Sequence, residues 1–198
     1  MRIQFLPQYV HVFQWEGDLA EIVEFCEVET MVPVGTNQRS ANPRVLHLCL
    51  PHLEEWISEC LDQVCKEEGY DFDLTITQSW INKSEKGATH HAHFHLNSFL
   101  SGIFYVTESN ASTWMNTKSI WPEPGKNFPS LQGETTQTLA SPLPTEPGWL
   151  VIFPSHLVHS VDEHEGEKPR YTLSFNTFPE GVFGQSHDLT EVSFGDVA

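Results

Sequence analysis

Basic residues are scarce in this chain. Ten Lys and Arg stand against 27 Asp and Glu in 198 residues, a formal net charge of −17. A surface of that sign repels phosphate backbones, so no nucleic-acid groove is expected. Long apolar runs are lacking too. None approaches the ~18 residues that a membrane-crossing helix needs, so no membrane association is expected. Met1 to Pro7 carries one positive charge and a short apolar patch broken by proline, which is not the pattern of a secretion signal. The four cysteines, Cys26, Cys49, Cys60 and Cys65, form no Cys-x-x-Cys pair. They read as reduced, small apolar residues, not as a disulfide framework or a zinc knuckle. Internal repeats and Gly-rich phosphate loops are also absent. A cytoplasmic protein of globular composition, 39% hydrophobic, is what remains.

The pattern along the chain changes near residue 70. Before it, Asp18 can cap a helix with Leu19, Ile22, Val23 and Cys26 on one stripe. A second helix follows Leu50, with Pro51 in its first turn. Leu53, Trp56, Ile57, Cys60, Leu61 and Val64 recur at helical spacing, and Gly69 ends it. After Tyr70 the period becomes two. Phe72, Leu74, Ile76, Gln78 and Trp80 alternate with polar residues as in a strand. Residues 99–107, 148–154 and 171–178 are further strand candidates. The stretch 110–146 reads as a long loop with short strands. With Trp114, Trp121 and Phe128 it is either a lid or a variable surface loop. The expected fold is mainly β, a double-stranded β-helix (jelly roll) with flanking N-terminal helices packed on its outside. One domain spans 1–198: a helical or mixed part over 1–70, the core over 71–180 and a weakly patterned tail over 181–198.

The strongest chemical signal is Thr89-His90-His91-Ala92-His93-Phe94-His95-Leu96. In a strand, His91, His93 and His95 share one face, while His90, Ala92, Phe94 and Leu96 share the other. Residues two apart lie ~6.6 Å from each other, so two imidazoles can reach one metal. His91 and His95, ~13 Å apart, cannot easily do so. The pair is therefore His91/His93 or His93/His95. Imidazole donors suit iron, copper, nickel or zinc. His159, after a buried strand and a turn, is the best candidate for a third ligand. His156 and His164 compete with it but look like loop residues.

Arg170 opens the segment Arg170-Tyr171-Thr172-Leu173-Ser174-Phe175-Asn176. In a strand, Tyr171, Leu173 and Phe175 form an apolar face, and Arg170, Thr172, Ser174 and Asn176 a polar one that lines a barrel interior. An arginine there needs an anion. A guanidinium with a hydroxyl two residues on suits a bidentate carboxylate clamp. The alternative is an exposed edge strand with Arg170 in water.

With these residues in place, the sequence resembles the 2-oxoglutarate/Fe(II)-dependent oxygenases. It is more closely similar to a family of such oxygenases from marine bacteria and phages. The resemblance runs through Gln78 to Asn82, His93 to Val106, Gly148 to Ser155, His159 and Arg170 to Asn176. It implies a jelly roll with iron at its open end, and His93 and His159 as iron ligands. It further implies Arg170 on the distal carboxylate of 2-oxoglutarate with Thr172 or Ser174 assisting, and Asn82 and Tyr105 as hydrogen-bonders to that co-substrate. Where the superfamily has His-x-Asp/Glu, this chain has His95. The favoured set is His93, His95 and His159, with Asp162 as an alternative carboxylate and His91 as an alternative histidine.

The implied activity is that of a dioxygenase of hydroxylase type using Fe(II), 2-oxoglutarate and O₂ on a small-molecule or peptidyl substrate. If the source is a phage, the compartment is the host cytoplasm. A homodimer is left open. The rival readings are a cupin-like three-histidine metalloenzyme without 2-oxoglutarate, which gives Arg170 and Thr172 no task, and a non-catalytic jelly roll such as a virion protein.

Overall fold

In the computed structural model, residues 9–116, 140–143 and 145–194 are described. In chain order the elements are β1 (His11–Gln14), α1 (Ala20–Val28), β2 (Met31–Val34), β3 (Asn37–Ser40), α2 (Val45–Cys49) and α3 (Pro51–Glu68). There follow β4 (Leu74–Ser84), β5 (His90–His93), β6 (Leu100–Tyr105), β7 (Thr113–Asn116), β8 (Ala140–Pro142) and β9 (Trp149–Pro154). Last come β10 (Val158–Val161), β11 (Arg170–Pro179), β12 (Gly181–Phe183) and β13 (Val192–Phe194).

Seven strands form the major sheet in the order β1-β9-β6-β11-β4-β3-β2, and four form the minor sheet in the order β5-β10-β7-β8. The paired strands in both sheets run antiparallel. This is the jelly-roll core, with helices on one side. The alternation of side chains explains the layering. Ile81, Phe104, Leu150, Ile152, Leu173 and Phe175 point outward into a core shared with Ile22, Leu53, Ile57 and Leu61 of the helices. Ile103, Tyr105, Val151 and Phe153 point the other way and meet Met115 of β7 and Leu157. Gly102 is required where β6 crosses Phe175. A Cβ there would fall 2.1 Å from the phenyl ring.

The helices follow their sequence signals. In α3, Leu53, Ile57, Cys60, Leu61 and Val64 form the buried stripe, Pro51 stands in the first turn, and Gly69 takes the left-handed conformation that ends it (φ 74°). Asp18 accepts the backbone N–H of Ala20 at 2.8 Å and so satisfies a free donor at the start of α1. Among the described residues, no helix is long and apolar enough to cross a membrane.

The structure adds detail to the sequence reading in four places. The N-terminal part, read as helical or mixed, is mixed. β1 forms an edge of the major sheet against β9, and the β2–β3 hairpin extends it beyond β4. Phe72 precedes its strand and stacks on Tyr70 (5.3 Å). The tail forms a small hairpin, β12–β13, anchored by Phe183 and Phe194 against Phe72 and Phe178. Of the stretch read as a long loop with short strands, the described parts carry two short strands, β7 with Trp114 and β8. Trp121 and Phe128 lie outside the described residues.

Candidate functional site

The two sheets bring the histidines together at one end of the fold. On β10, His159 lies directly opposite His93 of β5. His95 lies just past β5, where its backbone N–H donates to the carbonyl of Ser155 (2.9 Å). Ring centroids are 4.2 Å apart for His93 and His159, 5.0 Å for His95 and His159, and 5.3 Å for His93 and His95. One ring nitrogen from each lies within 4.8 Å of the others.

The second nitrogen of each ring is already engaged. His93 donates its Nδ1–H to the carbonyl of His91 (2.9 Å), and His159 donates its own to the carbonyl of Leu157 (3.0 Å). His95 donates to Asn176 Oδ1 at 2.6 Å. Each acceptor fixes the tautomer and leaves the Nε2 lone pair free. Burial disfavours the imidazolium form of all three rings. It lowers His159 to about 3, with His93, His95 and His90 adding repulsion, and it lowers His93 and His95 as well. Three neutral imidazoles that present lone pairs to one point form a donor set for a first-row divalent metal.

Arg170 stands on β11 at the wall of the same cavity, which His93, His95, His159, Thr172 and Ser174 also line. It is 3% exposed and has no carboxylate partner among the described residues. Its Nε is buried without a hydrogen-bond partner among the described residues. The guanidinium carbon sits 5.6 Å from the Tyr105 ring centre. A buried, unpaired guanidinium is costly unless an anion joins it. The residues present therefore fit a metal ion at the histidines and a carboxylate at Arg170.

The family model described as "Putative 2OG-Fe(II) oxygenase" matches residues 78–176, half of the chain. This chain belongs to the 2OG-Fe(II) oxygenase family. Solved structures agree on the fold. HygX from Streptomyces hygroscopicus, solved with nickel and 2-oxoglutarate bound, superposes with a TM-score of 0.61 at 11% identity, over 94% of this chain and 91% of its own. A prolyl-4-hydroxylase from Pseudomonas putida gives 0.61 at 14% identity, over 87% and 93%. The epimerase SnoN from nogalamycin biosynthesis gives 0.65 at 12% identity, over 89% and 81%. No curated protein matches the chain.

As a 2OG-Fe(II) oxygenase, the chain is an oxidoreductase that uses Fe(II), 2-oxoglutarate and O₂. Several sequence expectations about its site are refined by the geometry. His90 and His93 are on the same side, because β5 spends three steps, His90 to His93, where β10 spends two, His159 to Val161. This bulge flips the alternation. The His90 ring stacks on His93 at 4.4 Å and lines the cavity, whereas His91 is exposed. Burial, reinforced by the neighbouring histidines, lowers His90 to about 4. Asp162 lines the cavity, but its carboxylate accepts the Trp114 indole N–H (2.6 Å), and it is not one of the converging groups. His164 is tied through Nε2 to the carbonyl of Lys168 (2.8 Å).

Asn82 does not have a free amide. It donates to Ser174 Oγ (3.0 Å) and Thr172 Oγ1 (3.5 Å) and accepts from the Trp80 indole (3.2 Å). Tyr105 is fully buried in the apolar layer between the sheets, and burial raises its phenol above the ordinary range. Sequence reasoning missed the support behind His95. The Ser101 hydroxyl donates to Asn176 Oδ1 (2.9 Å), and Ser155 joins Ser101 (2.8 Å) to Ser98 (2.7 Å). Asn176 was legible as a polar-face strand residue, but its partner was not.

Proposed function

We propose that His93, His95 and His159 hold the iron, that Arg170 with Thr172 and Ser174 holds the distal carboxylate of 2-oxoglutarate, and that the enzyme hydroxylates a C–H bond of a small molecule. The observation that carries this reading is the pairing of two features on one cavity wall. Three tautomer-fixed histidines converge there, and the buried arginine beside them has no anionic partner among the described residues. The cupin-like alternative leaves that arginine unexplained.

When bound, Fe(II) and 2-oxoglutarate supply the oxidising power: O₂ is reduced as the keto acid loses CO₂ to give succinate, and the second oxygen atom converts substrate C–H to C–OH. The protein's part is orientation and exclusion of water. The backbone carbonyls of His91 and Leu157 and the amide oxygen of Asn176 hold the three rings. Phe153 packs edge-on against His159 (4.9 Å) and keeps solvent from it. Asn82 holds the hydroxyls of Thr172 and Ser174 beside Arg170. With His95 in place of a carboxylate, the three protein ligands add no negative charge to the metal, so an anionic co-substrate meets a more positive centre than in a His-x-Asp site.

The test is an anaerobic titration of Fe(II)-loaded protein with 2-oxoglutarate, watching for the weak visible charge-transfer band of a chelated keto acid. The band is expected to saturate at one equivalent. Iron bound at full stoichiometry with no band at any 2-oxoglutarate concentration would refute the reading.

A further inference from the structure

The inner cavity at Arg170, about 50 Å³, has room for one small molecule at most. If co-substrate occupies it, the molecule to be oxidised must approach from elsewhere. A wider cavity of about 340 Å³ opens alongside and shares Asn37, Trp80, Asn82, His90, His93 and His95 with it. The histidines thus stand between two compartments, one deep and one open.

The wall of the outer cavity has the opposite charge to the rest of the protein. The chain has 27 acidic residues, yet the described lining of this cavity contains no Asp or Glu, and its full cation is Arg39. Arg39 makes no ion pair among the described residues. Its direction follows from register. Arg39 on β3 is opposite Asn82 on β4, and Asn82 is opposite Thr172 on β11. Directly opposed residues share a face, so Arg39 points to the same side as Thr172, two strands or roughly 10 Å away. Asn82, fully hydrogen-bonded, separates the two arginines and competes for the ligand of neither. Gln78 lies on the same face of β4 as Trp80, and its side chain has no hydrogen bond among the described residues. The Trp80 ring lies 5.9 Å from that of His95 and gives the cavity an apolar floor beside the metal group.

We infer that the outer cavity binds the molecule to be oxidised through a carboxylate on that molecule, held by Arg39, with its hydrocarbon part across Trp80 toward His93 and His95. The inference rests on the placing of 2-oxoglutarate at Arg170. One planar guanidinium among neutral amides suits a singly charged carboxylate. A phosphate monoester carries nearly two charges, and the described wall has no second cation for it. The cavity volume suits a molecule of amino-acid size. An aminoglycoside-like polycation is disfavoured by the same charge.

The experiment uses Ni(II)-loaded protein at saturating 2-oxoglutarate. L-Proline, L-leucine, L-phenylalanine and their N-acetyl derivatives are titrated calorimetrically, each beside its primary carboxamide. At least one acid should bind tenfold or more tightly than its carboxamide. Arg39→Gln should remove that preference and leave 2-oxoglutarate affinity within twofold, while Arg39→Lys retains part of the preference. Failure of every acid to bind, equal affinity of acid and carboxamide, or an unchanged preference in Arg39→Gln overturns the inference alone. If Arg39→Gln abolishes 2-oxoglutarate binding and Arg170→Met leaves it intact, the arginines have exchanged roles and the underlying reading falls as well.

Discussion

His95 Nδ1 lies 2.6 Å from Asn176 Oδ1, a pairing of the residue that replaces the superfamily's carboxylate with a neutral acceptor on β11. The same oxygen accepts from Ser101, so the amide is held from both sides. An amide acceptor orients the ring without drawing its proton away as a carboxylate would. Asn176→Ala should lower Ni(II) or Co(II) affinity about 10- to 100-fold with the fold retained, as removal of such supporting partners does elsewhere. Asn176→Asp should restore it. Calorimetric metal titration checks both, and wild-type affinity in Asn176→Ala would mean that the Ser101 hydroxyl, 2.9 Å from the same nitrogen, suffices to orient the ring.

His159→Ala should abolish stoichiometric metal binding, because His159 is the most buried of the three rings and faces His93 across the β5–β10 pair. Metal analysis after gel filtration reads the result directly. One equivalent of iron retained by the variant would remove His159 from the ligand set.

Arg170 gives a prediction with two signs. Its guanidinium is buried and lacks a carboxylate partner among the described residues, and burial lowers its proton affinity. Replacing a buried charge with an apolar residue of similar length is often neutral or stabilising. Arg170→Met should therefore match or exceed the wild-type Tm without ligand, yet lose the gain that 2-oxoglutarate provides, about 2.7 kcal/mol at a hundred times Kd. Thermal melts with and without the keto acid test this. A variant still stabilised by 2-oxoglutarate would place the carboxylate elsewhere.

The strands β6 and β9 were legible as short apolar runs, buried on both faces, and the period-two patterns of β4 and β11 were legible because each has one face in the apolar core under the helices. α3 was legible for the same reason at helical spacing. The strands β1, β2 and β3 were not. They are four residues each, and their pairing is fixed by distant partners: β9 for β1, and β4 for the β2–β3 hairpin. At the site, type and spacing picked out His93 and His159 and left His91 and His95 as alternatives, between which the family resemblance favoured His95. His90 could not be picked out, because strict alternation sends it to the far face and only the bulge against His159 and Val161 returns it. Arg39 was equally hidden, since its relation to Asn82 exists only in the register of β3 on β4.

The buried histidines make the metal-free protein acid-sensitive in a defined window. His159 and His90 are lowered in the fold to about 3 and about 4, from an ordinary 6.5, chiefly by burial. The unfolded chain therefore binds protons at higher pH than the folded one. Their contribution is fully present above about pH 6.5 and is lost as pH falls from there toward 4 and then 3. For His159 alone the loss across the window is of the order of a few kcal/mol. Urea denaturation of apo-protein at pH 7.5 and at 4.5 should show a clear fall in stability. His159→Phe, which keeps a ring in the site but cannot be protonated, should flatten the dependence. The same low proton affinity means that the rings are already neutral at pH 7.5, so Ni(II) binding there should release close to no protons from them. Calorimetry in buffers of different ionisation enthalpy measures that number. Release of one or more protons would show that the rings are charged before the metal arrives, and that burial does not hold them in the donor form.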